Sequence, residues 1–443
     1  MIEPYQALGL VPTMRGIRRR HEIKTNLEHL SHLIKAASWL SSLDLPVRLI
    51  AIPEGALQGF NDEVLDLDHE EFARECAIDI PGPETDYLGA LARQWNAFLM
   101  AQAKARHPEF PGRFFNVGFI LSPEGEVILR HHKVVPLLPV EHSVTPHNVW
   151  DRWIELYGRN LDAFYPVADT EIGRLGFLMA NEGSYPENAR GLAMNGAEVV
   201  YRGPYPHPHV GNGLFEVQNR ARALDNNLYL IACNVGTYYL NADSDVPIDT
   251  FGGGSLVIDY RGQIVGRHDY SAGSSWVAGT IDINALRQFR ANAQWDNWLK
   301  DLTTEQYQLI YEQPVYPKNL YLDRVPYGHE DYRREVIEKQ IQLMHERDVW
   351  VPPDKGDSVR GGQHVAAGTA GGEAGPRAVP GHDGAVGAQQ ARPVHPDDRG
   401  TGPGHAQRDQ GRGGAGDRGG RAGQRAGAGH QVEPPVPVAP DRD

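Results

Sequence analysis

A chain of 443 residues, 40% hydrophobic and 23% charged, is long enough for a large core and one to three domains. Its formal net charge of -14 argues against a general affinity for nucleic acid or an anionic membrane, because both attract basic surfaces. Two cysteines in so long a chain, no apolar run of membrane-spanning length and no apolar stretch within Met1–Arg20 set the expectation of a cytoplasmic protein with neither membrane span nor signal peptide.

The expected elements follow in chain order. Residues 21–40 carry Ile23, Leu27, Leu30, Leu33 and Ile34 at a helical period. Residues 47–52 read as a short buried strand. Residues 87–105 read as one helix with Leu88, Leu91, Trp95, Phe98 and Leu99 on a stripe. Residues 115–121 and 127–130 flank Ser122-Pro-Glu-Gly125, a hairpin signal. A strand over 175–179 leads through a polar turn into a helix over 186–194, with proline in its first turn. Strand 198–201, helix 214–225 and strand 228–233 come next. A second hairpin pairs 255–259 with 264–266, and 276–281 is a last strand. Strands alternating with helices, mixed with hairpins, predict an α/β fold of mixed sheets covered by helices.

Residues 285–350 read as helix and irregular structure, and Trp295, Trp298, Tyr307, Tyr311 and Trp350 suggest docking on a neighbour. Beyond Pro352 there is no Leu, Ile, Met, Phe, Tyr or Trp. Such a segment buries too little apolar surface to offset its ordering entropy, so 352–443 reads as disordered. It is either a flexible interaction tail or the product of a GC-rich reading frame that is not the natural one.

Three charged residues stand at the ends of apolar segments. Glu54 follows Leu49-Ile-Ala-Ile-Pro53, at a sheet rim where ligand crevices form. Partial burial would raise its pKa toward neutrality and suit it to proton transfer. Lys133 enters Val-Val-Pro-Leu-Leu-Pro, a costly place for a cation unless a carboxylate pairs with it. Glu141 follows in Pro139-Val-Glu-His-Ser. Taken singly, each is equally a surface turn residue or a snorkelling strand end.

The ordered set resembles the carbon–nitrogen hydrolase (nitrilase) superfamily, over about residues 6–290. Ile52-Pro-Glu54-Gly-Ala-Leu-Gln-Gly59 is similar to its first glutamate motif. His131-His-Lys133 is similar to its lysine motif, and Glu141 to its second glutamate. Gly176-Phe-Leu-Met-Ala180-Asn-Glu-Gly-Ser-Tyr-Pro186-Glu187 with Ala193-Met-Asn-Gly-Ala-Glu198 is similar to its cysteine elbow. Further matches are Phe115-Asn116 and the run Asn219–Asn234. The Leu-Gln-Gly and Gly-Ser-Tyr-Pro-Glu runs look most like the aliphatic amidase and formamidase branch. The departure is Ala180, where the family has its cysteine nucleophile.

The resemblance implies a four-layer αββα sandwich over 1–290, an extension over 291–351 packing on the domain or a partner subunit, and homodimers or larger assemblies. It implies a thiol-dependent amidohydrolase that turns a small amide into a carboxylic acid and ammonia without a cofactor. Glu54 would be the general base, Lys133 the oxyanion partner, Glu141 an orienting group and Ala180 the vacated nucleophile position. The Asn181 backbone N–H would assist, and Arg202 and Tyr205 would line the pocket. Nitriles and N-carbamoyl amines are alternative substrates. With Ala180 the chain is either a substituted, inactive enzyme or a natural ligand-binding pseudoenzyme.

Cys233 reads as a buried core residue, and Cys76 has no matching motif. His131, His132, His142, His147, His207 and His209 do not have the spacing of a two-histidine metal motif, so no metal is expected. The insertion 142–164, with Trp150, Trp153 and Tyr157, is expected to shape substrate access.

Overall fold

In the computed structural model, which describes residues 1–270, 273–292 and 295–353, the apolar segments pair into two six-stranded mixed sheets and one small three-stranded sheet. The first large sheet runs, edge to edge, Ser275–Ile281, Tyr5–Val11, Val47–Ala51, Phe98–Arg106, Phe114–Leu121 and Val127–His132. The second runs Ile264–His268, Ser255–Ile258, Tyr229–Ala232, Val199–Arg202, Gly173–Phe177 and Val167–Thr170. Val47–Ala51 is parallel to both of its neighbours, and Val199–Arg202 is parallel to both of its own.

The sheets stack face to face through Ala7, Leu49, Ala51, Phe98 and Met100 on one side and Leu175, Phe177, Val199, Tyr201 and Ile231 on the other. Helices Ile23–Ser41 and Pro83–Trp95 cover the outside of the first sheet, where Leu27, Leu30, Ile34 and Leu88 join its Leu8, Ile50 and Leu99. Helices Pro186–Met194 and Leu214–Asn226 cover the second through Leu192, Phe215 and Ala223. The result is the four-layer αββα sandwich.

One expected element divides in two. The helix expected over 87–105 ends at Trp95, Asn96 takes a left-handed backbone (φ 48°), and Phe98–Arg106 is a central strand. Asn is well suited to that left-handed cap. The strand is buried on both faces, and a continuous apolar run of that kind has no period by which helix and strand can be told apart. Its sheet-facing side is apolar at Phe98 and Met100 and becomes polar at Gln102 and Lys104 as it nears the site. Tyr5–Val11 and Val167–Thr170 are further strands that the sequence reading did not single out.

Beyond the last strand, Tyr321 and Tyr332 are buried, and the amides of Asn319 and Tyr321 donate to the carbonyls of His147 and Asn148. Trp295, Trp298, Tyr307, Tyr311 and Trp350 stay exposed. The tail reading over 352–443 falls, from residue 354 on, outside the described residues. No helix among the described residues is long and apolar enough to cross a membrane.

Candidate active site

The strands Val47–Ala51, Phe98–Arg106 and Val127–His132 point the same way, so Glu54 and Lys133 leave the same edge of the sheet. Carboxyl ends of parallel strands are where such sheets form crevices. Gly173–Phe177 delivers Ala180 from the facing sheet. Glu54, Lys133, Glu141 and Ala180 line one cavity of about 360 Å³.

Lys133 Nζ donates to Glu54 Oε1 at 2.9 Å and to Glu141 Oε2 at 2.7 Å. All three side chains are buried. Asn116 Nδ2 bridges the two acids, donating to Glu54 Oε1 at 2.6 Å and to Glu141 Oε1 at 2.8 Å. Gln102 Nε2 donates to Asn116 Oδ1 and so fixes which way that amide points. Gln58, from the Leu-Gln-Gly run, does structural duty: its amide donates to the carbonyls of Cys76 and Lys104 at 2.9 and 3.0 Å.

The two acids are unequal. Glu141 accepts four hydrogen bonds, from Lys133, the Leu137 amide, Asn116 and Ser143. Burial would raise its pKa, but Lys133 and these donors overcome that and bring it down to about 2. Glu54 accepts two, and its Oε2 is buried without a partner. There burial wins over Lys133 and holds the carboxyl above its ordinary value. Burial would lower Lys133, but Glu141 and Glu54 together hold it well above the usual lysine range. Acids pushed apart in this way divide the labour, one to carry a proton and one to remain charged.

Ala180 sits on a strained turn. Its φ is +36°, a region that non-glycine residues rarely occupy and that is found mostly at functional sites. The turn is held at several points. The Ala180 amide donates to Gly203 O at 2.6 Å, and Arg202 Nε donates to Ala180 O at 3.3 Å. Glu182 accepts the amides of Met179 at 2.7 Å and Val134 at 2.6 Å, with His131 Nε2 at 3.0 Å from its Oε1. One buried carboxylate therefore ties the elbow to the strand end that carries Lys133. Gly183 must lack a side chain, since a Cβ there would lie 2.2 Å from Arg202 Nε.

The side chains of Asn181, Arg202 and Tyr205 do not line the cavity. Arg202, expected in the pocket, is fully buried behind the elbow and donates to Asn219 Oδ1 at 2.6 Å and Gln218 Oε1 at 2.8 Å. Its strand register turns it outward, between the rings of Tyr205 and Phe215. Tyr205 and Ser184 are hydrogen bonded at 2.6 Å, and Asn181 Nδ2 donates to Pro136 O at 2.8 Å. All three residues brace the turn. The insertion expected to govern access also lies elsewhere: Trp150, Trp153 and Tyr157 are absent from this cavity, and Trp153 packs on Phe110, Phe115 and His132.

The walls come instead from Phe60, Glu63, Val64, Leu137, Val140, Pro204, Pro206, Tyr238, Ile248 and Phe251. Glu63 is a carboxylate that sequence reasoning missed. It accepts from the buried Lys104 Nζ at 2.8 Å, which also pairs with Asp62, and burial pushes Glu63 up to about 8. The available signal was Lys104 itself, a cation within a buried strand. Cys76 and Cys233 are free and buried, and burial raises both thiols, Cys76 to about 12, so neither is a ready nucleophile.

The family model for carbon–nitrogen hydrolases matches residues 13–291, more than half of the chain. Formamidases of Bacillus thuringiensis and Bacillus anthracis are each 29% identical over 220 residues, which is 48% of this chain and 59% of theirs. The match thus spans less than two thirds of those relatives. A carbon–nitrogen hydrolase from Helicobacter pylori superposes with a TM-score of 0.52 at 18% identity, over 70% of this chain and 99% of that one. A cysteine-to-alanine mutant of an amidase from Nesterenkonia gives 0.51 at 17% identity, over 69% and 97%. At these identities the structural likeness speaks for the fold.

Proposed function

The chain belongs to the carbon–nitrogen hydrolase family, and from that premise we propose that its site is built to hydrolyse a small amide through a thioester at position 180, a step that Ala180 removes. The observation that carries this reading is the buried Glu54–Lys133–Glu141 cluster sharing one cavity with a strained elbow.

With cysteine at 180, Glu54 takes the thiol proton as sulfur attacks the amide carbon. The orphaned Oε2 is the natural seat for that proton. Lys133, with the Asn181 backbone N–H, stabilises the tetrahedral oxyanion. Glu141 stays ionised and holds Lys133 in place. Glu54 returns its proton to the departing ammonia, then activates the water that releases the carboxylic acid. Family resemblance implies no cofactor. Nitriles and N-carbamoyl amines are the alternative substrates.

As it stands, with Ala180, the chain binds substrate without forming the acyl-enzyme. Loss of such a nucleophile lowers the rate by about 10⁶ in comparable triads. Ala180→Cys, assayed for ammonia release from a panel of amides, nitriles and N-carbamoyl amines, is the test. Release from at least one supports the reading, and none from any panel member overturns it. We also propose a cytoplasmic homodimer through the helices Pro186–Met194 and Leu214–Asn226, which leave Met194 and Val217 exposed in the single chain. A monomeric mass in sedimentation would refute the assembly.

A further inference from the structure

Outside the Glu54–Lys133–Glu141 centre, Asp66, His142 and His329 bring ligand atoms within 4.8 Å of one another. They come from three distant parts of the chain. Asp66 follows the helix Asn61–Val64 that supplies Glu63 and Val64 to the cavity wall. His142 is the neighbour of Glu141. His329 opens the helix His329–Tyr332 of the C-terminal segment.

His142 is 4% exposed, and its Nδ1 lies 3.2 Å from Leu67 O. A carbonyl only accepts, so Nδ1 carries a proton, and in the neutral ring Nε2 presents a lone pair. That Nε2 has no hydrogen-bond partner, although Asp66 Oδ1 stands 2.9 Å away. In the neutral ring that lone pair faces a carboxylate oxygen, an arrangement that a shared cation, whether a proton or a metal ion, satisfies.

The third corner fits as well. His329 Nε2 is 3.6 Å from Asp66 Oδ1 and 3.1 Å from Val140 O. One tautomer donates to the carbonyl, and the other offers its Nε2 lone pair to a cation beside the carboxylate. Tetrahedral ions bound at about 2.0–2.2 Å have ligand atoms about 3.3–3.6 Å apart. The observed separations of 2.9 and 3.6 Å bracket that edge. A ring N–H held by a backbone carbonyl is also the usual way a metal-bound histidine is oriented. Asp66 has φ +51°, and its carboxylate accepts the His329 amide at 3.1 Å, so the carboxylate is set in place before any ion arrives.

We propose that Asp66, His142 and His329 form a structural site for a divalent transition-metal ion of the zinc type, which pins the C-terminal segment to the wall of the cavity. The ion has no part in the hydrolysis. It fixes the loop after Glu141 and the end of the Glu63 helix to a third segment.

The test uses the full chain, stripped with a chelator and titrated with Co²⁺, whose absorption bands report tetrahedral coordination. One tightly bound equivalent is expected, displaced by Zn²⁺, with a rise in unfolding temperature. His329→Gln and Asp66→Asn should each weaken binding at least tenfold, because outright loss of a ligand exceeds the 10–100-fold effect of losing an outer partner. Circular dichroism verifies that both variants fold. Should either variant fail to fold, the other tests the site on its own, since Asp66 and His329 lie on separate segments of the chain. Absence of a tetrahedral band, or Co²⁺ bound equally well by His329→Gln, overturns the proposal and leaves a metal-free His–Asp contact.

Discussion

Lys133→Met keeps most of the length of the side chain and removes the cation, so it probes the centre directly. Lys133 is 1% exposed, and its partners Glu54 and Glu141 are 2% and 6% exposed. Removing one member of a buried ion pair costs about 3–5 kcal/mol, because the remaining charge has no water to solvate it. Two acids share this lysine, but they respond differently. Glu141 keeps the Leu137 amide, Asn116 and Ser143 as donors. Glu54 keeps only Asn116, and burial already holds its carboxyl high. Glu54 is therefore the stranded group, and the expected loss near pH 8 is that of a single unpaired carboxylate, about 3–5 kcal/mol.

The pH dependence follows from the sign of its shift. In the variant the folded-state pKa of Glu54 lies further above its unfolded value. The added penalty is absent at pH below the unfolded value and grows as pH rises toward the folded one. Urea unfolding of the parent chain and the variant at about pH 5 and about pH 8, followed by tryptophan fluorescence, measures this. A loss under about 1 kcal/mol, or one that is the same at both pH values, would refute the reasoning. Adding Glu54→Gln should restore part of the loss, with a coupling of about 0.5–3 kcal/mol.

Ala180→Gly relieves the positive φ, and the gain of about 1–3 kcal/mol is offset by about 0.5–1 kcal/mol of added chain entropy. A higher urea midpoint is expected, and a lower one would contradict the strain. Arg202→Leu removes the donors to Ala180 O, Asn219 and Gln218 and should cost about 3 kcal/mol. In the Ala180→Cys background it should reduce kcat with little change in KM, since Arg202 does not line the cavity. Three carboxylates and one lysine line that cavity among the described residues, so above about pH 8, where Glu63 gives up its proton, an amide bearing a carboxylate should bind the Ala180 protein at least about tenfold more weakly than its neutral analogue. Calorimetry reads that ratio, and Glu63→Gln should narrow it.

Glu54, Lys133, Glu141 and Ala180 were legible because each stands beside a recognisable run, and strand ends of the same direction bring such runs together. Arg202 was misread for a reason of register, and Tyr205 lies in the loop beyond the strand. A one-residue difference at a strand end sends a side chain to the opposite face, and no signal in Tyr201-Arg-Gly-Pro-Tyr settles it. Asn116 was visible as a motif match, but its bridge between two acids depends on an antiparallel register set by distant residues. Glu182 stood in plain sight after Ala180-Asn. Its role requires the Val134 amide, which lies 48 positions away in the chain. The 87–105 segment was misread where burial on both faces erased the period.

The several holds on the elbow have a consequence for anyone who wishes to redesign it. Gly203, Arg202 and Glu182 grip the main chain around position 180, and none of them touches a side-chain atom there. The socket keeps its shape with a methyl group in it. Other small side chains, a hydroxyl as well as a thiol, should therefore be presented to the same cavity in the same pose, making the reacting atom an exchangeable part on a fixed mount.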